Sequence, residues 1–173
     1  MLSLTFSLFL VTSLLTRSFG APANCMPTNW NYAWSKVGNV WFTRTRERGD
    51  WQTMAEKCQN IEPGRSSMAS IRSPAEQRNV VTNLPDEDWW IGGVRLGGPK
   101  WYWASLMKNK MTVTPMQYTN WDLGEPNNYR HEYCMHMYGT IVLRKWNDIN
   151  CLGNYFRAIC EIRCTDKSLP PEL

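Results

Sequence analysis

The hydrophobic positions in the first third of the chain repeat with the period of a helix. Trp51, Met54, Ala55 and Cys58 are spaced to share one helical face, and Asp50 just before them can cap the first turn. This pattern predicts a helix from residue 51 to about residue 60. It also directs the side chain of Cys58 towards the core.

A second helix is predicted from the signals at its start. Ser73 can cap it, Pro74 suits the first helical position, and Glu76 completes a capping box. We expect this helix to run to about residue 83, just before the Leu84-Pro85 pair.

Beyond residue 85 the chain changes to short runs of aromatic and apolar residues that are typical of strands. Trp89–Gly93 predicts a buried strand that ends in a turn, and residues 101–103 alternate as a strand does. Residues 140–146 and 156–162 predict two more strands. Between residues 104 and 133 there is no clear period, but Gly, Pro and Asn are frequent, and a loop of that length is usually functional. This order of elements predicts an α+β fold, with two helices and short antiparallel sheets around one long loop.

Residues 1–20 have the composition of a secretory signal peptide. Leu2–Leu15 is apolar and uncharged, and a small-residue exit at Gly20 precedes Ala21. A membrane anchor is the alternative, but this stretch is shorter than the ~20 apolar residues that span a bilayer, and no later stretch is apolar enough to span one. We therefore expect a secreted, extracellular protein, with residues 21–164 as its domain and 165–173 as a short C-terminal tail.

Composition and charge limit the classes of partner. The chain has 173 residues, which suits one domain, and its 43% hydrophobic and 20% charged residues suit a globular core. A net charge of +4, with acids and bases interspersed, does not favour nucleic acid or an anionic membrane as a partner. The six cysteines, an even number in an exported chain, indicate disulfides.

Side chains that offer oxygen are concentrated between residues 120 and 150. Calcium takes about six to eight oxygen ligands from carboxylates, amides, main-chain carbonyls and water. Carboxylates that are crowded together repel one another unless a cation lies between them. The sequence therefore predicts a calcium site formed by Glu125, Asn127, Glu132, Asn147 and Asp148.

Pro126 adds a geometric argument for a sugar site. The bond before a proline is the one peptide bond at which the cis form has a small cost, and a cis bond here would turn the side chains of Glu125 and Asn127 to the same side. A carboxylate accepts hydrogen bonds, whereas a carboxamide nitrogen donates them. Two adjacent sugar hydroxyls that touch the ion would each be bridged between an acidic and an amide group.

With these motifs the chain resembles the C-type lectin family, over about residues 25–164. The long-loop signature is Tyr-Thr-Asn-Trp-Asp-Leu-Gly-Glu-Pro-Asn-Asn at residues 118–128. The other motifs, in family order, are Trp51 with Ala55 and Cys58, Trp90-Ile91-Gly92, Glu132-Tyr133-Cys134, Trp146-Asn147-Asp148 with Cys151, and Ala158-Ile159-Cys160-Glu161. A lone Glu-Pro-Asn tripeptide would be weak evidence for the family, but several motifs in the family order, with matching cysteines, make the resemblance specific.

The resemblance implies a C-type lectin-like fold stapled by two disulfides, Cys58–Cys160 and Cys134–Cys151. It implies Ca²⁺ as the cofactor, and it implies that the ligands of the ion also bind the sugar: Glu125, Asn127, Glu132, Asn147 and Asp148. Glu-Pro-Asn implies the mannose-type subgroup, which binds sugars with equatorial 3- and 4-hydroxyls, whereas galactose binders usually carry Gln-Pro-Asp. Tyr129 could pack on an apolar sugar face or be an ordinary loop tyrosine.

Two departures from the family pattern leave questions open. Val40 stands where many relatives have the partner of Cys25, so Cys25 could pair with Cys164 or bridge two chains. The auxiliary calcium site of some relatives uses extra acids, but Asn128 follows the motif here and residues 93–97 offer no acid. We therefore expect one functional calcium.

The leading interpretation is a lectin for mannose-type glycans, for which the family suggests roles in innate recognition or adhesion. One shallow site binds weakly, so a homo-oligomer would have to supply multivalency. The alternative is a structural or matrix protein, or a protein- or surface-binding protein, on the same fold. An enzyme is not expected, because the two histidines, His131 and His136, both lie near the calcium loop and form no catalytic triad.

Overall fold

The computed structural model describes residues 25–139 and 144–164. The predicted signal peptide, the predicted tail and the first part of the strand predicted at 140–146 lie outside these ranges. The described residues form two helices, α1 (Trp51–Ile61) and α2 (Pro74–Thr82). Their strands are β1 (Ser35–Val37), β2 (Val40–Arg44), β3 (Ser66–Met68), β4 (Trp89–Arg95), β5 (Trp101–Met107), β6 (Lys110–Pro115), β7 (Cys134–Met137), β8 (Trp146–Ile149) and β9 (Arg157–Arg163). Across the described ranges, no helix combines the length and the apolar character needed to cross a membrane.

Helix α1 follows from the local signals that precede it. The Asp50 carboxylate accepts a hydrogen bond from the Thr53 amide at 2.8 Å, which satisfies one of the donors that a helix start leaves free. Met54, Ala55 and Cys58 are buried on one face of the helix. The first helix prediction is therefore confirmed.

Helix α2 starts where it was predicted but closes its cap differently. The Glu76 amide donates to the Ser73 hydroxyl at 3.2 Å, and Pro74 occupies the first turn. In a capping box the Glu76 carboxylate would reach back to the Ser73 amide. Here it accepts from the Arg72 amide at 2.7 Å and pairs with Arg163 at 2.9 Å. The same carboxylate thus holds the residue before the N-cap and ties the helix to β9.

Strands β4 and β9 form the centre of the sheet. β9 pairs antiparallel with β2 and β3 and parallel with β4, while β4 also pairs antiparallel with β5 and β7. β1 and β6 extend the sheet beyond β2 and β5, and β8 pairs with β7. The predicted α+β class is confirmed, as are the strands predicted at 101–103 and 156–162.

Gly92 and Gly93 lie inside β4, so the turn predicted at this point is wrong. A Cβ atom on Gly92 would stand 3.0 Å from the Ala69 carbonyl oxygen, and one on Gly93 would stand 2.5 Å from the Met135 side chain. Both positions therefore need glycine because other parts of the chain approach closely, and not because the chain turns there. β4 continues to Arg95, which brings this residue to the long loop.

The stretch from 104 to 133 is not one continuous loop. β5 continues through its first residues and pairs with β6 across a turn at Lys108 and Asn109, whose φ angles are +50° and +60°. All six residues of β6 are exposed, although Met111 and Val113 alternate with polar residues as in a strand. This alternation was missed in the sequence. The loop that remains covers residues 116–133 and leads into β7.

Of the strand predicted at 140–146, the structure describes residues 144–146, and only residue 146 lies in a strand. Residues 144–145 belong to no strand, and β8 begins only at residue 146. β8 pairs antiparallel with β7 and carries Asn147 and Asp148. Two of the predicted calcium ligands therefore lie on a strand beside the loop.

The core lies on both faces of β4. Trp89 and Ile91 belong to one buried cluster and Trp90 belongs to another, because successive side chains of a strand point to opposite faces. α2 contributes Val80 to the first cluster, and α1 contributes Met54 to the second. Each helix thus covers a different face of the central strands.

All six cysteines are paired within the chain. The disulfides are Cys58–Cys160, Cys134–Cys151 and Cys25–Cys164. The first two are the pairs that the family resemblance implies. The third joins the two ends of the described chain, so of the two alternatives for Cys25 the structure has the intramolecular one.

Candidate functional site

The long loop is anchored to β8 by its first residues. The Trp146 amide donates to the Asn120 carbonyl and the Asp122 amide donates to the Trp146 carbonyl, both at 2.9 Å. The Trp121 ring packs edge-on against the Trp146 ring, with centroids 6.1 Å apart, and Trp146 is fully buried. Aromatic packing therefore fixes the base of the loop and leaves its tip to polar residues.

Glu125 and Asn127 lie side by side on this loop. The Glu125–Pro126 peptide bond is cis, and Nδ2 of Asn127 donates to Oε1 of Glu125 at 2.9 Å. The main-chain amide of Asn127 donates to Oε2 of Glu125 at 3.1 Å. The pair places a hydrogen-bond acceptor and a hydrogen-bond donor next to each other at the edge of the loop.

Asp148 reaches the same pair from β8. It is fully buried, and its two carboxylate oxygens accept hydrogen bonds from the main-chain amides of Asn127 and Asn128, each at 2.9 Å. A strand side chain thus holds the two loop residues that follow Pro126. These bonds use only part of the acceptor capacity of a carboxylate, which has about four lone-pair positions.

Three carboxyl groups influence one another here, those of Glu125, Glu132 and Asp148. Burial, and then the contact with Asp148, raises the pKa of Glu125 above its ordinary value. Burial, and then the charges of Asp148 and Glu125, raises the pKa of Glu132. Among the described residues, Oε2 of Glu132 is buried without a hydrogen-bond partner. A set of carboxylates crowded in this way favours the binding of a cation or a proton.

Asn147, another of the five predicted ligands, contacts a residue to which the sequence analysis assigned no role. Its Nδ2 lies 3.0 Å from Nε2 of His136, and the two residues are direct partners in the β7–β8 register. Burial lowers the pKa of His136 to about 4, so the imidazole is neutral at neutral pH. His136 therefore belongs to the surroundings of the site.

Arg95 connects two parts of the loop. The sequence analysis assigned no role to this residue either. Its guanidinium donates to the side-chain oxygen of Asn128 and, at 2.9 Å, to the carbonyl oxygen of Glu132. The guanidinium lies 5.9 Å from the centre of the Trp101 ring and 5.1 Å from that of Tyr133. A fixed positive charge thus stands at the end of β4, in the stretch that offers no acid for a second calcium.

Tyr129 lies at the exposed edge of the site. Its side chain is 61% exposed, and its main-chain amide donates to the side-chain oxygen of Asn127 at 2.6 Å. The Arg130 guanidinium lies over the ring, 5.0 Å from its centre. The ring is accessible to a ligand that approaches Glu125 and Asn127 from solvent.

The donor set suits a hard cation such as calcium. It contains three carboxylates and two carboxamides, and one carboxylate oxygen is buried without a hydrogen bond in the described structure. Within residues 25–139 and 144–164, no three His, Cys, Asp or Glu side chains are already grouped as a metal site. A cation bound here would need oxygen from the carboxamides of Asn127 and Asn147 as well as from the carboxylates.

Known proteins are similar to this chain in sequence and in fold. A family model described as the lectin C-type domain matches residues 47–162 of the chain. The chain belongs to the C-type lectin family. This C-type lectin is 30% identical over 172 residues to a C-type lectin mannose-binding isoform from Oxyuranus scutellatus, a match that covers 90% of this chain and 97% of that protein. Proteins of the family are generally non-enzymatic and bind carbohydrate.

Solved C-type lectin structures have the same fold. The C-type lectin CEL-I from Cucumaria echinata superposes with a TM-score of 0.66 at 20% identity, over 81% of this chain and 99% of its own. The cow carbohydrate-recognition domain of CD23, solved in the presence of GlcNAc2Man3 oligosaccharide, gives a TM-score of 0.62 at 27% identity, over 78% and 95%. The predicted C-type lectin-like fold is therefore confirmed.

Proposed function

We propose that this C-type lectin is secreted and binds mannose-type sugars in a calcium-dependent manner. The calcium ligands would be Glu125, Asn127, Glu132, Asn147 and Asp148. The same residues would contact the sugar, with Tyr129 beside them. The observation that carries the proposal is the 2.9 Å contact between the side chains of Glu125 and Asn127, which sets an acceptor beside a donor.

The order of acid and amide favours the mannose type. Glu125 can accept a hydrogen bond from one sugar hydroxyl, and Asn127 can donate one to the next. Two adjacent equatorial hydroxyls would meet this pattern, and a Gln-Pro-Asp order would exchange the two roles. The relative from Oxyuranus scutellatus, which is described as mannose-binding, supports the same class of sugar.

Each residue of the site would contribute a distinct part of the binding. Bound calcium would balance the crowded carboxylates and attract the hydroxyl oxygens of the sugar. Asp148 holds the main chain of Asn127 and Asn128, so these residues need not be ordered when a ligand binds. Trp146 fills the space under the loop and keeps its base out of water.

The protein would act outside the cell and as an oligomer. Residues 1–20 would be removed on export, so the mature chain would begin at Ala21. One shallow sugar site binds weakly, and several linked sites would raise the avidity. Cys25 is joined to Cys164 within the chain, so the proposed homo-oligomer would be held by non-covalent contacts.

Affinity chromatography tests the proposal on protein recovered from culture medium. We expect retention on immobilised mannose in calcium, release by EDTA, and passage through a galactose column run in parallel. Glu125→Gln is expected to abolish retention, because it removes the charge of a calcium ligand and replaces one of its two acceptor oxygens with an amide donor. Glu56→Gln is the matched control, since Glu56 lies on the exposed face of α1 and accepts from Gln52 within that helix at 3.2 Å.

Three outcomes would contradict separate parts of the proposal. Retention on galactose alone would reverse the sugar specificity. Retention that EDTA does not reverse would exclude calcium dependence. Passage through both columns, with calcium binding still measured by calorimetry, would exclude sugar binding of either type.

One observation favours a second function, that of a structural or surface-binding protein on the same fold. The loop is held by contacts within the chain, from Asp148 to two main-chain amides and from Arg95 to the Glu132 carbonyl. Such contacts could keep the loop in shape without an ion. If hydrogen exchange of residues 120–132 is the same in calcium and in EDTA, the result favours a structural or surface-binding function over calcium-dependent sugar binding.

A further inference from the structure

His136 stands directly behind Asn147, on the neighbouring strand. The two residues are partners in the β7–β8 register, and Nε2 of His136 lies 3.0 Å from Nδ2 of Asn147. A carboxamide nitrogen only donates hydrogen bonds, so Nε2 must be the acceptor and carry no proton. The single proton of the neutral ring is then on Nδ1.

A carboxylate faces the other ring nitrogen. Nδ1 of His136 is buried, and 3.8 Å separate it from Oδ2 of Asp88. This distance is too long for a hydrogen bond, but the negative charge still favours a proton on Nδ1. Oδ1 of Asp88 accepts from the Gly139 amide at 2.8 Å, which holds the carboxylate in this place.

Aromatic neighbours prevent the His136 ring from turning. It stacks on Phe156 with an interplanar angle of 22° and a centroid distance of 5.3 Å. Trp90 and Tyr138 meet it edge-on, with centroids 6.4 Å and 4.8 Å away. The two ring nitrogens therefore keep their separate partners, Nδ1 towards Asp88 and Nε2 towards Asn147.

We propose that His136, with its tautomer biased by Asp88, is a positioning residue that fixes the Asn147 carboxamide with its oxygen towards the ion site. Because Nδ2 is committed to His136, the oxygen is the atom of this amide that remains for the opposite side. A flipped amide would turn its N–H groups towards a cation and oppose binding. The inference rests on the proposed function, in which Asn147 is a calcium ligand.

The tautomer can be measured in the calcium-free protein by the ¹⁵N chemical shifts of the His136 ring. We expect a neutral ring with the proton on Nδ1. Asp88→Asn should move the proton towards Nε2, because it removes the negative charge that favours a proton on Nδ1. A wild-type ring that carries its proton on Nε2 would overturn the inference, whatever the protein binds.

The consequence for the metal can be measured by calcium titration calorimetry. His136→Phe keeps an aromatic ring but removes the acceptor, and we expect it to weaken calcium binding by about 10-fold or more, within the range typical for groups that orient a metal ligand. His136→Gln restores an acceptor and should recover most of the affinity. Asp88→Asn should weaken binding less than His136→Phe does, because it acts only through the tautomer.

The possible failures can be told apart. Equal calcium affinity in the wild type and in His136→Phe would overturn this inference and leave the proposed function in place. No calcium binding by the wild type would overturn the proposed function. If His136→Phe does not fold, Asp88→Asn still tests the inference. A proton that moves to Nε2 of His136 while the calcium affinity stays unchanged would contradict the positioning role. Glu56→Gln again serves as the control and should match the wild type.

Discussion

Helix α1 and the long loop are fixed to the same sheet by opposite kinds of contact. α1 buries an apolar face that includes Met54 and Ala55, and the disulfide from Cys58 joins it to β9. The tip of the loop is held by polar side chains that reach it from strands, Asp148 from β8 and Arg95 from β4. Apolar packing tolerates small changes of shape, whereas hydrogen bonds need a particular donor and acceptor.

The difference separates the stability of the protein from the order of its site. Loss of buried apolar volume in α1 should lower the free energy of unfolding of the whole domain. Loss of a polar contact to the loop should change ligand affinity more than it changes global unfolding, because surface loops can open locally. Substitutions in α1 and in the contacts of the loop should therefore have separable effects.

Met54→Ala should give the largest effect on stability. Met54 is fully buried in the second core cluster, and truncation of a buried methionine costs about 2–5 kcal/mol of unfolding free energy. Urea denaturation measures this loss. The folded fraction should bind calcium as the wild type does, because Met54 lies on α1 and not on the loop or on β8, which carry the proposed ligands.

Gln52→Ala is the matched control on the exposed face of α1, and it should change the unfolding free energy by less than about 0.5 kcal/mol. If Met54→Ala lowered calcium affinity as strongly as it lowered stability, the separation between framework and loop would not hold.

The sequence predicts the framework well where the signal is local. Asp50 and Ser73 cap helices within three residues of themselves, and the aromatic runs of β4 and β5 mark buried strands. It fails where the cause is distant. Gly92 is required by the carbonyl of Ala69, which is remote in sequence, so the glycine pair indicated a turn that does not exist.

For the site, residue type and motif order name the oxygen donors, but they do not name the groups that position them. His136 contacts Asn147 because the register of β7 and β8 makes the two residues partners, and no periodicity in the sequence predicts that register. Arg95 reaches the loop only because β4 runs past its glycines to residue 95. Both contacts depend on pairing between strands that are distant in sequence, which local patterns in a single sequence do not reveal.

Arg95→Met tests the polar side of the comparison and should have the next largest effect. The variant keeps a long side chain between Trp101 and Tyr133 but loses the donors to Asn128 and Glu132. Hydrogen bonds from a charged group contribute about 1.5–3 kcal/mol, so we expect calcium affinity to fall about 10-fold, with a smaller change in global unfolding. Calorimetry and urea denaturation on the same protein measure the two effects.

Arg95→Lys decides between the two roles that the guanidinium could have. Lysine keeps the positive charge but cannot hold both partners in the same fork geometry, so it should also bind calcium more weakly than the wild type. Tighter calcium binding by Arg95→Met would show that charge repulsion outweighs positioning.

Glu132→Gln should have the smallest effect on stability. The sign of this effect should differ between EDTA and calcium. The folded-state pKa of Glu132 is raised, so its ionised carboxylate disfavours the folded state at neutral pH. In EDTA at pH 7 the variant should therefore be slightly more stable, with a rise in Tm of no more than about 3 °C because solvent screens a half-exposed group. In calcium the order should reverse, because the ion needs the ionised ligand.

The pH dependence of this difference follows from the direction of the shift. In EDTA, the stability gained by Glu132→Gln should reach its full value above the raised pKa of Glu132. It should shrink as the pH falls through that pKa. It should vanish below the ordinary carboxyl value of 4.5, where the wild-type group is protonated in both the folded and the unfolded state. Thermal unfolding at several pH values checks this course. If the variant were less stable than the wild type in EDTA at neutral pH, repulsion between the carboxylates would not destabilise the calcium-free protein. The loop would then resemble the framework, because its own contacts would keep it ordered without a cation.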